Sequence, residues 1–192
     1  FMMGMRIKGE TTEEIAAAAQ VMREQSQHVT LTNRQHLIDT CGTGGDNLQT
    51  FNVSTLSAII SAAAGSRVAK HGGRSVSSKC GSADLIEAIG IPLTPSKHDL
   101  EEGLKALSFG FLFAPQYHPS FKHVAPIRKK LAEQGILTFF NVMGPMINPA
   151  RPAYQLVGTY NPDYLGRMKE ALQNNGLKSA LIAHCAIEKD GV

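Results

Sequence analysis

One stretch of the chain, DTCGTGGDNLQTFNVST at residues 39–55, constrains the fold more than any other. It places a glycine-rich turn directly after a short apolar segment and directly before a helix of small residues. A strand, turn and helix in this order expose backbone N–H groups at a helix start, where they bind phosphate. The helix start also carries Asn52, Ser54 and Thr55, which favour a second phosphate. The stretch therefore predicts an extended ligand with more than one phosphate group.

The residues of the turn narrow the choice of ligand. Asp46 repels phosphate, so it is expected to accept ribose hydroxyls or to orient a metal-bound water, which favours a sugar phosphate. The turn is followed by no GK[ST] and contains no G-x-G-x-x-G, so neither a Walker loop nor a dinucleotide fingerprint is present. Two simpler interpretations stay open from these residues alone: a tight strand-to-helix turn, and ordinary N-capping by Asn or Ser.

Composition adds weaker constraints. The 192 residues are 43% apolar and 18% charged, which suits one domain, or one domain and a piece of another. The net charge of +3 is scattered, so anionic small molecules explain it as well as nucleic acid does. Three separate cysteines argue against zinc or a disulfide framework and favour the cytoplasm, and no apolar run approaches the roughly 20 residues of a membrane span. Both ends look cut, so we expect an internal piece of a longer protein.

Strand and helix patterns alternate along the chain. Helices are predicted at about 12–26, 53–65, 83–90 and 96–108, and in 118–135 with an interruption near Pro126. Strands are predicted at 36–39, 66–72, 109–115, 154–160 and 178–185, the last two flanking another helix, whereas 139–152 is predicted to be a loop. This order indicates an α/β fold with a mainly parallel sheet flanked by helices, with ligands beyond the carboxyl ends of the strands.

A second Gly/Ser loop, KHGGRSVSSKCGS at 70–82, repeats the phosphate-binding chemistry after the next predicted strand. It combines cations, hydroxyls and glycines, although a solvated basic loop is an equally simple interpretation. Arg128 likewise reads, by itself, as one charge of a solvated helix face with Lys129 and Lys130. Cys80 has no evident base partner in the sequence, and no Ser-His-Asp spacing is recognisable.

Taken together and in order, GTGGD, NVST, KHGGRSVSSKCGSAD, LFAPQYHPSFKHVAPIR and NVMGPMINPARP resemble the anthranilate phosphoribosyltransferase family over essentially the whole chain. The resemblance implies a small helical domain, which forms a homodimer, and a larger α/β domain, with the phosphoribosyl donor held at the hinge. Residues 1–30 would end the helical domain, 31–192 would form an incomplete α/β domain, and about 116–135 would return to the helical domain.

The resemblance also implies the site residues. Ser54 would be a Mg²⁺ ligand, and a second Mg²⁺ would be held by an Asp-Glu pair beyond Val192. Anthranilate would meet Gly42, Gly73 and Arg128, with Gly73 standing where the family usually has Asn. The expected contacts of 5-phosphoribosyl 1-diphosphate are Gly42, Thr43, Gly44, Gly45, Asp46, Thr50, Asn52, Val53, Ser54, Thr55, Lys70, His71, Gly72, Gly73, Arg74, Ser75, Val76, Ser77, Ser78 and Ser82.

The implied reaction transfers the phosphoribosyl group to anthranilate, with Mg²⁺, no dedicated acid or base residue, and no nucleic-acid or membrane partner. Three alternatives remain: transfer to another amine, a related pyrimidine-nucleoside-phosphorylase-like enzyme, and a non-catalytic paralogue that binds nucleic acid. The second would place a lysine after the glycine turn, and the third would show a decayed glycine loop with a basic face. The sequence GGDNLQTFNVST has neither property.

Overall fold

The strands of this protein form one parallel sheet whose order reverses direction at its middle. The computed structural model describes residues 1–44, 51–75 and 80–186. Within them the strand order is β3-β2-β1-β4-β5, every neighbouring pair being parallel. The strands are β1 (Leu37–Gly42), β2 (Arg67–Gly72), β3 (Phe109–Phe113), β4 (Tyr154–Gly158) and β5 (Ser179–Ala183). The predicted parallel α/β class is confirmed, and the chain proceeds outward on both sides of a switch between β1 and β4.

Helices connect and flank the strands. Capping boxes begin two of the predicted helices, Thr11 with Glu14 and Ser96 with Asp99. Gly65 follows the end of another helix at φ +94°, a left-handed conformation that glycine adopts without strain. The α-helices are α1 (Met2–Lys8), α2 (Thr12–Glu24), α3 (Val53–Ala63), α4 (Ser82–Ala88), α5 (Lys97–Ala106), α6 (Ala114–Tyr117), α7 (Ala125–Glu133), α8 (Phe140–Met143) and α9 (Tyr164–Asn174), with 3₁₀ turns at Pro119–His123 and Gly144–Met146.

Apolar side chains are buried on both faces of the sheet, as expected for parallel strands. On one face α3 and α4 pack over β2 and β3, with Val68 and Phe111 at the centre. On the other face α5 packs over the same strands through Leu104 and Leu112. The largest cluster lies on this second side beneath β1 and β4, where Val142 of α8 and Met168 of α9 pack with Ile15 of α2. This core fixes the carboxyl ends of the central strands.

The segment 139–152 corrects one prediction. Its Gly, Pro and Asn content predicted a loop, but it contains α8 and a 3₁₀ turn, and most of it is buried. Burial of Val142, Met143, Met146 and Ile147 in the largest cluster explains the difference, because tertiary packing overrides weak local helix preference. The interruption predicted near Pro126 is confirmed: the 3₁₀ turn Pro119–His123 ends before α7 begins at Ala125, and Pro126 lies in the first turn of α7, where its missing N–H costs no hydrogen bond.

None of the helices in the described part of the chain is long and apolar enough to cross a membrane.

Candidate functional site

The glycine turn leaves β1 at the point where the strand order reverses. Gly42 pairs with Gly158 of β4, and the Thr43 N–H donates to the Gly158 carbonyl at 2.9 Å. The Thr43 hydroxyl oxygen accepts from the Tyr160 N–H at 3.2 Å, and Gly44 has φ +64°. Ligands of open α/β sheets bind outside such a switch point. Of the predicted donor contacts in this turn, Gly45, Asp46 and Thr50 lie outside the described residues.

A buried ammonium group lies between β1 and the start of α3. Lys70 is 1% exposed, and its Nζ donates to the Thr40 carbonyl at 2.6 Å and to Ser54 Oγ at 3.3 Å. The Thr40 hydroxyl donates to the Ser54 carbonyl at 2.7 Å, which attaches α3 to β1. Burial lowers the pKa of Lys70, since desolvation disfavours its charged form. An anion above Ser54 would supply a counter-charge for this ammonium group.

The start of α3 has a side chain at its N-cap that does not cap it. Asn52 donates through Nδ2 to the Gly81 carbonyl at 3.1 Å, and it makes no capping bond to α3 within the described residues. Asn52 therefore joins the start of α3 to the start of α4. Among the described residues, the Val53 and Thr55 N–H groups donate to the Phe51 and Asn52 carbonyls, so the Ser54 N–H is left to another acceptor, such as an anionic ligand. Val53 is exposed, and Thr55 is buried with its hydroxyl unpartnered among the described residues.

The second Gly/Ser loop closes on itself at the carboxyl end of β2. Gly72 packs so closely on Ser82 that a Cβ at Gly72 would lie 2.1 Å from Ser82 Oγ. The Gly73 carbonyl accepts from the Ser82 hydroxyl at 3.2 Å and from the Ala83 N–H at 3.1 Å. A Cβ at Gly73 would meet Ala114 Cβ at 3.8 Å, an ordinary contact, so a side chain is sterically permitted there. The predicted donor residues Val76, Ser77 and Ser78 lie outside the described residues.

The Arg74 side chain is held by carboxylates of α4. It forms ion pairs with Asp84 at 2.6 Å and with Glu87 at 2.8 Å, both on α4. These partners, Glu87 first, raise the pKa of Arg74. The resemblance assigned Arg74 to the donor, whereas the structure holds its guanidinium on α4; an approaching diphosphate would have to compete with two carboxylates. Ser75 borders Gly81, where a Cβ would lie 2.3 Å from the Ser75 nitrogen.

Arg128 occupies a different environment from that of a solvated helix face. Its guanidinium carbon lies 5.6 Å from the ring centroids of both Phe121 and Phe140. It is partly buried, and it has no carboxylate partner among the described residues. Desolvation lowers the pKa of Arg128, but a guanidinium stays charged at neutral pH. Such a planar cation with apolar walls can receive the carboxylate of an aromatic ligand.

Two buried histidines connect β2 with the surroundings of Arg128. The His71 ring lies 5.1 Å from the His118 ring, which lies 5.9 Å from Phe121. His71 Nδ1 is 3.2 Å from the Gly144 carbonyl. Burial lowers the pKa of His71 to about 3 and that of His118 to about 4, so both rings are neutral at pH 7. Sequence reasoning did not assign His118, Phe121 and Phe140 to the site, because only the fold brings Phe140 to Arg128 and His118 to His71.

No group of three or more His, Cys, Asp or Glu side chains suitable for a metal occurs within the described ranges. Ser54 Oγ is a hard oxygen ligand at the start of α3, which suits Mg²⁺. Since Mg²⁺ is usually held by one or two protein ligands together with substrate phosphates, the residues present fit a metal that arrives with a diphosphate.

Comparison with known families matches the chain twice. Residues 34–190 match the glycosyl transferase family α/β domain, and residues 1–26 match the helical bundle domain of the same family.

Individual proteins give the same picture. The chain is 50% identical over 183 residues to the anthranilate phosphoribosyltransferase of Chromobacterium violaceum, covering 95% of this chain and 53% of the relative. A solved anthranilate phosphoribosyltransferase from Thermus thermophilus superimposes with a TM-score of 0.85 at 42% identity, covering 96% of this chain and 54% of that one. The Saccharomyces cerevisiae enzyme, solved with PRPP and Mg, gives 0.84 at 32% identity, covering 95% and 51%. The chain thus spans about half the length of the relatives it matches.

Proposed function

We propose that the whole protein is an anthranilate phosphoribosyltransferase, because this chain belongs to the glycosyl transferase family that has a helical bundle domain and an α/β domain. It transfers the phosphoribosyl group of 5-phosphoribosyl 1-diphosphate to anthranilate and yields N-(5-phosphoribosyl)anthranilate and diphosphate. The observation that carries this proposal is a pair of cationic environments, one at the ends of β1 and β2 and one that the rings of His71, His118 and Phe121 connect to β2. The β1 turn with Lys70 suits a diphosphate, and Arg128, whose guanidinium lies against the rings of Phe121 and Phe140, suits an aromatic carboxylate.

The reaction is a displacement at C1 of the ribose. The anthranilate nitrogen forms a bond to C1 while the bond from C1 to the diphosphate oxygen breaks, and the nitrogen then releases a proton. Charge develops on the leaving diphosphate, so fixed positive charge near that group lowers the barrier. Lys70 and the Ser54 N–H at the start of α3 would supply that charge from this chain. We propose that the remaining contacts predicted from the resemblance bind 5-phosphoribosyl 1-diphosphate together with these groups.

Mg²⁺, held by Ser54 and by the diphosphate itself, would neutralise part of the leaving group's charge. The Saccharomyces cerevisiae enzyme was solved with PRPP and Mg together, which supports this assignment. Ser54 is already oriented by Lys70 Nζ at 3.3 Å. The described part of this chain contains no cluster of three or more metal-ligating side chains, and the Asp-Glu pair implied by the resemblance would lie outside it.

The acceptor amine needs orientation more than activation. Anthranilate attacks as a neutral aryl amine, so a dedicated general base is not required. His71 and His118 would be weak bases, because burial lowers their pKa values to about 3 and about 4. Arg128 would hold the carboxylate while the adjacent rings contact the aryl ring. Placing the nitrogen over C1 then supplies the main catalytic advantage on this side. Gly42 and Gly73 would complete the acceptor contacts.

The helices at the start of the chain support a domain proposal. We propose that residues 1–30 belong to a helical domain that dimerises, that 31–192 belong to the α/β domain, and that about 116–135 returns to the helical one. The exposed Phe1, Met3 and Ile7 provide apolar surface for such contacts.

No disulfide joins the cysteines of the described residues, which is consistent with the reducing cytoplasm, where we place the reaction.

The test is turnover by the full-length protein with Mg²⁺ and 5-phosphoribosyl 1-diphosphate, followed as loss of anthranilate fluorescence. We expect anthranilate to be consumed in proportion to the diphosphate released. If diphosphate is released only with another amine, the acceptor assignment is wrong. If the protein instead cleaves pyrimidine nucleosides with free phosphate, or only binds nucleic acid, the proposed function is wrong.

A further inference from the structure

Asp39 is a buried carboxyl group next to the site that the proposed mechanism does not use. It lies in β1 with 0% exposure, and its Oδ1 accepts a hydrogen bond from the His71 N–H at 3.2 Å. Its Oδ2 is also buried and has no hydrogen-bond partner within the described part of the chain. An ionised carboxylate with one unsatisfied oxygen is costly in such a position. Oδ2 therefore needs a hydrogen-bond donor, unless the Asp39 carboxyl is protonated and Oδ2 itself carries the proton.

Gln155, like Asp39, has a buried side-chain oxygen that accepts no hydrogen bond within the described residues. It is the register partner of Asp39 on the adjacent strand β4, so the two side chains lie on the same face of the sheet. Gln155 Nε2 donates to the Pro145 carbonyl at 2.6 Å, which fixes the orientation of the amide. Its Oε1 is buried and unpartnered among the described residues. Two acceptor oxygens on neighbouring residues thus lack donors, and a single proton would satisfy both.

We propose that Asp39 is held as a neutral carboxylic acid whose Oδ2–H donates to Gln155 Oε1. The surroundings agree with this assignment. Burial is the largest effect on the pKa of Asp39 and raises it, whereas Lys70, Asn148, His71 and Cys41 oppose the shift.

Lys70 is a cation, whereas the other three of these neighbours carry no charge at pH 7. His71 is neutral at pH 7 because burial lowers its pKa, and burial raises the pKa of the Cys41 thiol, which therefore stays neutral as well. Asn148 is a neutral hydrogen-bonding neighbour of Asp39, and one of its two Nδ2 hydrogens is donated to the Ala69 carbonyl at 2.9 Å. Lys70 has its Nζ bonded to Thr40 and Ser54, and forms no ion pair with Asp39 within 4.0 Å.

Asp39 is thereby a positioning residue for the carboxyl edge of the sheet. Through His71 it joins β1 to β2, and through Gln155 and the Pro145 carbonyl it joins both to the buried turn Gly144–Met146. The Gly144 carbonyl of that turn also holds His71 Nδ1. A neutral Asp39 leaves the charge of Lys70 for an anionic ligand, a consequence that rests on the proposed function, whereas the protonation of Asp39 does not.

Infrared difference spectroscopy on the full-length protein tests the protonation directly. At pH 7 we expect a carbonyl stretching band of a protonated carboxylic acid in the wild type, shifted by ¹³C-aspartate labelling and absent from Asp39→Asn. The matched control is Asp99→Asn, because Asp99 is an exposed capping residue whose pKa is lowered by Ser96. That variant should lose only a carboxylate band. Loss of a carboxylate band, and of no acid band, in Asp39→Asn would overturn the proposal, whatever the enzyme assay gives.

Stability against pH gives a second, independent readout. A group with a raised pKa in the fold stabilises it below the unfolded pKa, and this contribution is lost as pH rises toward the folded pKa. Above about pH 4 the wild type should therefore lose thermal stability relative to Asp39→Asn. Asp39→Leu, which leaves the His71 N–H and Gln155 Oε1 without partners, should be destabilised at every pH. A wild type that gains stability over Asp39→Asn as pH rises would contradict a neutral Asp39.

Discussion

Gly81 shows, at the level of single residues, how closely the backbone of the second Gly/Ser loop is packed. A Cβ at Gly81 would lie 2.3 Å from the Ser75 nitrogen and 2.7 Å from the Arg74 carbonyl carbon, so backbone would have to move. We expect Gly81→Ala to cost about 1–3 kcal/mol through overpacking, or roughly 2–10 °C in Tm. Gly166→Ala in α9 is the control, since a Cβ there meets nothing within 4 Å. Equal Tm values for the two variants, measured by calorimetry, would contradict the described loop geometry.

Arg128 gives the second prediction for a single residue. Replacing it by alanine removes a charge-assisted bond to the acceptor carboxylate, worth about 1.5–3 kcal/mol, so KM for anthranilate should rise about 10- to 100-fold. The KM for the phosphoribosyl donor should change far less. Lys129→Ala removes the adjacent exposed cation and is the matched control. Equal effects of both variants on the anthranilate KM in steady-state assays would exclude Arg128 as the acceptor's anchor.

Gly73 separates sterics from recognition. A side chain is permitted at this position because the nearest contact of its Cβ would be Ala114 Cβ at 3.8 Å. We expect Gly73→Asn to leave Tm within about 2 °C of the wild type while it changes the anthranilate KM. Gly72→Ala, whose Cβ would meet Ser82, should lower Tm instead. A Gly73→Asn protein that loses stability but binds anthranilate unchanged would reverse this assignment.

Among the helices and strands, α5 depends on its capping box. The Ser96 hydroxyl accepts from the Asp99 N–H at 3.1 Å, and Asp99 Oδ2 accepts from the Ser96 N–H at 3.2 Å. Ser96→Ala should lower Tm by about 2–4 °C without affecting the distant site. Ser96 lowers the pKa of Asp99, so the wild type's advantage should shrink as pH falls below about 4, where Asp99 protonates. A gap that widens in acid would show that the box does not contribute this way.

Local rules identified the elements well wherever a segment's own sequence carried the signal. The capping boxes of α2 and α5, the glycine after α3 and the glycine turn after β1 were all predictable, because their chemistry lies within a few consecutive residues. The segment 139–152 was not, since its buried helical turns depend on contacts with residues far along the chain. Phe140 reaches Arg128, and His118 reaches His71, for the same reason. The role of Asp39 was not predicted, because it depends on Gln155, the residue that the strand register places beside it on β4.

For the whole molecule, the strand order locates the ligand. The switch between β1 and β4 and the loop after β2 lie at one edge of the sheet, so donor binding should stabilise the fold around them. At a donor concentration of 100 Kd with Mg²⁺, full-length protein should gain about 2.7 kcal/mol, or roughly 5–10 °C in Tm. An oligonucleotide should give no comparable shift. Stabilisation by the oligonucleotide and not by the donor would favour the nucleic-acid alternative.

A crystal structure of the full-length protein with Mg²⁺ and 5-phosphoribosyl 1-diphosphate would test the proposed site most directly. We expect the diphosphate over the β1 turn and the start of α3, with Ser54 beside the metal and Lys70 beneath it, and the ribose C1 open toward Arg128. Donor bound at another edge of the sheet, or at this edge with C1 turned away from Arg128, would show that the site is wrongly assigned.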